Sequence, residues 1–162
     1  MAAILWKMTD VIFFPMNTPI AVLLSHKGNA VFSVAGLDTV AEAVCEMSSR
    51  NIGSVVVLEN GRLIGLLTER DVLNRVVAAG RQPDLTCVAD VMTRHPIIVS
   101  PRATVEEVMG LFTEKRCRQI PVVDEDSDCL VGVISIGDVT RWLVESQSYE
   151  VHHLRQYIAG AM

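Results

Sequence analysis

Apolar residues recur at helical spacing in two places along the chain. Val40, Ala43, Val44 and Met47 stand at i, i+3, i+4 and i+7, and Val105, Val108, Met109 and Phe112 repeat that spacing. Each segment therefore predicts a helix with one apolar face. Thr39 and Thr104 immediately precede those faces, and Glu42 and Glu107 follow three residues later. That is a capping box, in which hydroxyl and carboxylate each take a free backbone N–H. The period then changes: "SVVVL" and "LIGLL" flank "ENGR", and "IPVVD" and "CLVGVI" flank "EDSD". Apolar, β-branched runs around Asn-Gly or an Asp-rich turn predict hairpins. Thr68 and Ser135 then each open a further helix, apolar at Val72, Val76 and Val77 in one and at Val139, Trp142 and Leu143 in the other. Short apolar strands, "AVFSV" and "PIIVS", come ahead of the two patterns.

The same series of elements thus occurs twice. Thr39 and Thr104, like Val57 and Val122, are 65 residues apart; Gly65 and Gly132, like Asp71 and Asp138, are 67 apart. The difference falls in the hairpin loop, where an insertion costs little. Each repeat reads strand–helix–strand–strand–helix, about 50 residues by ordinary element lengths. One repeat alone is too small to bury its apolar faces comfortably, so the two are expected to pack as a pseudo-two-fold pair. The expected fold class is α/β (α+β), built from two β-α-β-β-α repeats. Residues 1–29 form an N-terminal segment with a helix opened by Thr18-Pro19 and stopped by Gly28. Residues 30–80 form the first repeat, 81–95 a linker, 96–145 the second repeat, and 146–162 a helical tail.

Composition narrows the function. Of 162 residues half are apolar and a fifth charged, a globular balance, and 14 basic against 19 acidic residues give a net charge of -5. A general nucleic-acid surface needs a basic stripe, so no nucleic-acid partner is expected. Lys7, Asp10, Pro15 and Pro19 interrupt the apolar N-terminus, which matches neither a membrane span nor a secretory leader. A cytoplasmic protein without a membrane partner is expected. Cys45, Cys87, Cys117 and Cys129 form no CxxC pair, and Cys45 and Cys117 fall in segments where a thiol is usually buried. Adjacent His152 and His153 point to different helix faces, so no metal site is expected. No nucleophile–base or carboxylate-pair spacing marks an enzyme.

The doubled strings "GLLTERDV" and "GVISIGDV" carry the remaining chemistry. A carboxylate three residues after a hydroxyl, at a helix start, has two readings. It grips both hydroxyls of a cis-diol while the helix N-terminus faces a phosphate. Alternatively it closes a capping box, with Asp standing where Glu or Gln is preferred. Asp is shorter than Glu and reaches back less well, and Gly65 and Gly132 allow close backbone approach. Both points favour a binding site.

The strings "TVAEAV" and "TVEEVM", with "IGSVVVLENGRLIGLLTERDV" and "CRQIPVVDEDSDCLVGVISIGDV", resemble the cystathionine beta-synthase (CBS) domain, which occurs in tandem pairs called Bateman modules. The resemblance runs from about Ala30 to Glu145, and the flanking segments look like those of small stand-alone CBS-pair proteins. It implies a non-catalytic regulatory module that binds AMP, ADP, ATP, S-adenosylmethionine or NAD(H) in clefts between the repeats. It also implies a homodimer and a regulated partner protein. Carried over, one site centres on Thr68 and Asp71 and the other on Ser135 and Asp138, Asp on the ribose and the hydroxyl residue near the phosphate. Val34 or Ile98, with Ile52, Gly53 and Val55 or Gln119, Ile120 and Pro121, would hold the base. Arg116 and Arg118 are phosphate candidates, Arg70 and His95 weaker ones. The alternative is a structural or dimerisation module whose strings are only helix caps.

Overall fold

A computed structural model describes residues 16–28 and 30–146. The expected C-terminal helical tail lies almost wholly outside them, as do His152 and His153. In chain order the elements are α1 (Ile20–Lys27), β1 (Ser33–Ala35), α2 (Val40–Ser49), β2 (Ser54–Glu59), β3 (Arg62–Thr68) and α3 (Glu69–Val72). A π-helical turn, Leu73–Val77, continues α3, and a 3-10 turn, Pro83–Leu85, follows. Then come α4 (Val88–Val91), β4 (Thr93–Arg94), α5 (Val105–Glu114), β5 (Gln119–Asp124) and β6 (Cys129–Ser135). Residues 136–146 are helical and are called α6.

Local chemistry explains the regular pieces. Thr39 accepts from the Glu42 N–H while Glu42 accepts from the Thr39 N–H, and Thr104 and Glu107 do the same. Both capping boxes close as expected, and the two bonds from Thr39 hold the Glu42 carboxyl below its ordinary range. The Asn60-Gly61 turn has φ of 49° and 77°, the left-handed pair that a two-residue hairpin requires. In the second hairpin the Asp124 carboxylate accepts from the Asp126 N–H at 3.0 Å and its carbonyl from the Asp128 N–H at 2.9 Å. At α1 the helix runs to Lys27 and stops at Gly28 as expected, but Pro19 rather than Thr18 occupies the N-cap position.

The chain forms two compact units that cut across its linear order. Among the described residues, one comprises 30–100 and 120–133, the other 16–28, 101–119 and 134–146. In the first unit β1 runs parallel to β2 across the α2 crossover, and β3 lies antiparallel to both β2 and β4, giving the order β1-β2-β3-β4. Its core joins Val34, Val40, Ala43, Met47, Val55, Val57, Leu67, Val76, Val88 and Val91. Each side chain of this kind contributes about 1.5–3 kcal/mol when fully buried. In the second unit Ile20, Leu23, Leu24, Val105, Val108, Phe112, Ile134 and Val139 are buried. β5 and β6 form a separate two-stranded sheet.

Four expectations need correction. Val44 and Cys45 are exposed, because the buried stripe of α2 narrows to Val40, Ala43 and Met47. Val77 is 62% exposed, since the π-helical turn adds a residue and rotates it away from Val76. "PIIVS" forms only a single parallel bridge, Val99 to Val122. The stretch expected as a linker is structured: Thr93 and Arg94 pair with Leu66 and Gly65.

Candidate functional site

Each doubled string places its hydroxyl residue at the end of a strand and its Asp in the first turn of a helix. At the first corner, Thr68 ends β3 and Asp71 lies in α3. Asp71 Oδ2 accepts from the Thr68 N–H at 3.0 Å and from Thr68 Oγ1 at 2.7 Å, while the Asp71 N–H donates to Thr68 Oγ1 at 3.2 Å. Asp71 Oδ1 accepts from Thr93 Oγ1 at 3.2 Å and lies 3.3 Å from an Arg75 nitrogen. Both oxygens are committed, and the residue is buried.

The second corner has the same box with different surroundings. Asp138 Oδ2 accepts from the Ser135 N–H at 2.8 Å and from Ser135 Oγ at 2.6 Å, and the Asp138 N–H donates to Ser135 Oγ at 3.2 Å. Lys27 Nζ, from the last turn of α1, donates to the same oxygen at 2.7 Å. No described residue donates to Oδ1. Burial pushes the Asp138 carboxyl up, but Lys27 and the two Ser135 bonds together outweigh it and hold the group below its ordinary value.

The short reach of Asp does not prevent either box from closing, so the sequence argument from Asp against Glu fails. A shorter carboxylate suffices because the hydroxyl and N–H it meets belong to one residue at the strand end. Gly65 also serves a different purpose from ligand access. A Cβ there would collide with the Met92 sulfur and lie 3.1 Å from the Thr93 carbonyl, so its open side is filled by the connector.

The remaining expected residues divide by burial. Val34 and Val55 pair in register with Val57 and Leu67 and belong to the core. Ile52 packs half-buried against that core. Gly53 belongs to the first corner, its carbonyl accepting from the Glu69 N–H at 3.1 Å. Arg118 holds the equivalent place at the second, its carbonyl accepting from the Ile136 N–H at 3.0 Å, with Gln119 next to it half-buried. Ile120 is fully buried. Pro121 is also buried, and its carbonyl accepts from the Val99 N–H beside exposed Ile98. Arg116 is exposed in a left-handed turn with φ 52°, as is His95 with φ 47°, and Arg70 is exposed. Lys27 has no sequence signal for this role: it lies 111 residues from Asp138.

A groove of about 630 Å³ beside β1 and α2 is lined by Phe32, Val34, Asp38, Glu42, Glu46 and Arg50, among others, and includes neither corner. Within it Glu46 pairs with Arg50, which stacks over Phe32 at 4.3 Å, while Asp38 and Glu42 accept from the Ala35 and Thr39 N–H groups. Burial pushes the Cys117 thiol up, away from the low value a reactive thiolate needs. No group of His, Cys, Asp and Glu among the described residues is arranged to hold a metal ion. None of their helices is long and apolar enough to cross a membrane.

Two tandem helix–hairpin–helix repeats, each with a hydroxyl–Asp corner at the start of its last helix, match the CBS domain family model over residues 28–78 and 88–145. The chain belongs to the CBS domain family. It is 39% identical over 128 residues to the CBS domain-containing protein CBSX3, mitochondrial, of Arabidopsis thaliana, covering 76% of this chain and 61% of that protein. Among solved structures, it matches a putative signal-transduction protein with CBS domains from Burkholderia ambifaria. The identity is 33% and the TM-score 0.76, over 80% of this chain and 96% of that one. The CBS domain pair of protein MJ0100 was solved in complex with 5′-methylthioadenosine and S-adenosyl-L-methionine. It shares the fold at a TM-score of 0.68 and 20% identity, over 78% of this chain and 99% of that one.

Proposed function

We propose that this CBS pair is a non-catalytic sensor whose Ser135–Asp138 corner binds the ribose of an adenosyl ligand. The observation that carries the reading is the division of labour within Asp138. One oxygen is fixed by Ser135, so the carboxylate is oriented in advance, and the other receives no hydrogen bond from a described residue. A pre-oriented acceptor of this kind suits a sugar hydroxyl, because little ordering remains to be done on binding. Ile136 and Gly137, at the start of α6, leave the approach free of like charge. The bound adenosyl compounds of the MJ0100 pair suggest the ligand class.

The first corner supports the other reading. With both Asp71 oxygens committed to Thr68, Thr93 and Arg75, this corner is a helix cap that also fastens the connector. The chain then works as a homodimer through exposed apolar helix positions and passes ligand occupancy to a partner protein. A ligand moves that partner only by its differential affinity for two states. The thiols of a cytoplasmic protein stay reduced, consistent with four free cysteines.

Thermal unfolding with AMP, ADP, ATP, S-adenosylmethionine and NAD(H) tests the proposal. At about 100-fold above its dissociation constant, a ligand stabilises the fold by about 2.7 kcal/mol, roughly 5–10 °C for a chain of this size. Asp138→Asn is expected to abolish that shift. A wild-type protein that none of the five compounds stabilises refutes the adenosyl reading.

A further inference from the structure

We infer that the groove between the outer edge of β1 and α2 docks an extended basic segment of a partner protein, which adds to β1 as a strand. The inference does not depend on the adenosyl reading and names the chemistry of a protein partner.

The backbone supplies half of the site. β1 ends the order β1-β2-β3-β4, so among the described residues no strand pairs with its outer side. The Phe32 carbonyl accepts from the Val56 N–H at 3.2 Å, and Ser33 lies opposite Val56. By the alternation of a parallel ladder, Val34 turns its N–H and carbonyl to β2, and Ser33 turns both outward. Ala35 faces outward too, but the turn takes its groups. Its N–H donates to Asp38 Oδ2 at 2.7 Å, and its carbonyl accepts from the Asp38 N–H at 3.1 Å. Ser33 is exposed, and a peptide residue set opposite it exchanges two hydrogen bonds with it.

Charge supplies the other half. α2 returns along β1 as the crossover to β2, and Asp38, Glu42 and Glu46, four residues apart, line its groove side. Each is anchored through one oxygen, Asp38 by Ala35, Glu42 by Thr39 and Glu46 by Arg50. No described residue donates to the second oxygen of any of the three. Three carboxylates against the Arg50 guanidinium leave two negative charges in excess along the groove. Four residues of helix rise about 6 Å, and alternate side chains of a strand are about 6.4–6.8 Å apart. Lys or Arg at every second position of an added strand therefore meets the carboxylates in step. A second copy of this chain does not fit, because its own Asp38, Glu42 and Glu46 would face these across the paired edges.

Fluorescence anisotropy with a labelled octapeptide of alternating threonine and arginine tests the inference, with the threonine–glutamate octapeptide as control. Wild type is expected to bind the first in low salt and not the second. Asp38→Asn with Glu42→Gln keeps the acceptors of both turns and removes their charge. It should weaken binding by about tenfold, the size of two exposed ion pairs. Melting curves check that the variant is folded. The arginine peptide N-methylated at every amide keeps its charge but cannot donate to β1, and should bind about tenfold more weakly. Bound peptide should also slow alkylation of Cys45, exposed in the groove, and leave exposed Cys129, outside it, unchanged. If the methylated peptide binds as well as its parent, or Cys45 reacts equally fast with peptide bound, strand addition at β1 is wrong. If wild type binds neither octapeptide, or binds both alike, the basic partner is wrong.

Discussion

At the scale of single residues, the two Asp side chains have the same local geometry and different duties. Asp71 supports four groups from three residues, two of them beyond its own helix turn, and its side chain is 10% exposed. Asp71→Ala removes the acceptor from part-buried donors of Thr68 and Thr93 and is expected to cost about 2–3 kcal/mol in denaturant unfolding. Asp138→Ala, at a more open site, should cost about 1 kcal/mol. Loss of ligand response in Asp71→Ala is therefore no proof of contact, and Asp138 is the cleaner probe. The depressed Asp138 carboxyl also has a pH signature. A group whose folded value is lowered stabilises fully above its unfolded value of 3.8, and that contribution disappears as pH falls through the folded value. The stability gap between wild type and Asp138→Asn should hold at neutral pH and close on acidification below about pH 4. A gap that widens on acidification contradicts the assignment.

At the scale of elements, the helix starts and the first hairpin were legible because their signals are local. Thr39 with Glu42, Thr104 with Glu107 and Asn60-Gly61 each fix a backbone turn within four residues. The connector was not legible, since Thr93-Arg94 is too short to show a period and is recruited by the missing side chain of Gly65. Gly65→Ala should destabilise by about 1–3 kcal/mol, because the Thr93 carbonyl cannot move aside as a flexible side chain does. Gly110, exposed within α5 with no atom near its would-be Cβ, gives the opposite sign. Gly110→Ala should stabilise by about 0.5–1 kcal/mol. The π-helical turn escaped the sequence reading as well, because its widened turn breaks the period that Val72, Val76 and Val77 suggest.

At the scale of the whole molecule, family membership was readable from the doubled strings, and Glu69-Arg70 against Ile136-Gly137 already sets the two corners apart, while the distant partners of each Asp were not readable. Those distant partners are Lys27 at Asp138 and Thr93 at Asp71, which arrive through tertiary structure rather than spacing. The proposed homodimer would draw on surfaces of the same kind. Leu73 and Val77, 60% and 62% exposed one turn apart on the π-helical stretch, form an apolar face that a second copy would cover. Leu73→Glu with Val77→Glu is expected to turn a dimer into a monomer in sedimentation velocity without unfolding it. An unchanged sedimentation coefficient places the contact elsewhere.

The account turns on which carboxylate meets the ligand, and a crystal structure grown with AMP answers that most directly. The prediction is a ribose hydroxyl about 2.5–3.0 Å from an Asp138 oxygen, with Asp71 still bonded to Thr68 and Thr93. AMP seated on Asp71, with the Ser135–Asp138 corner empty, would contradict it.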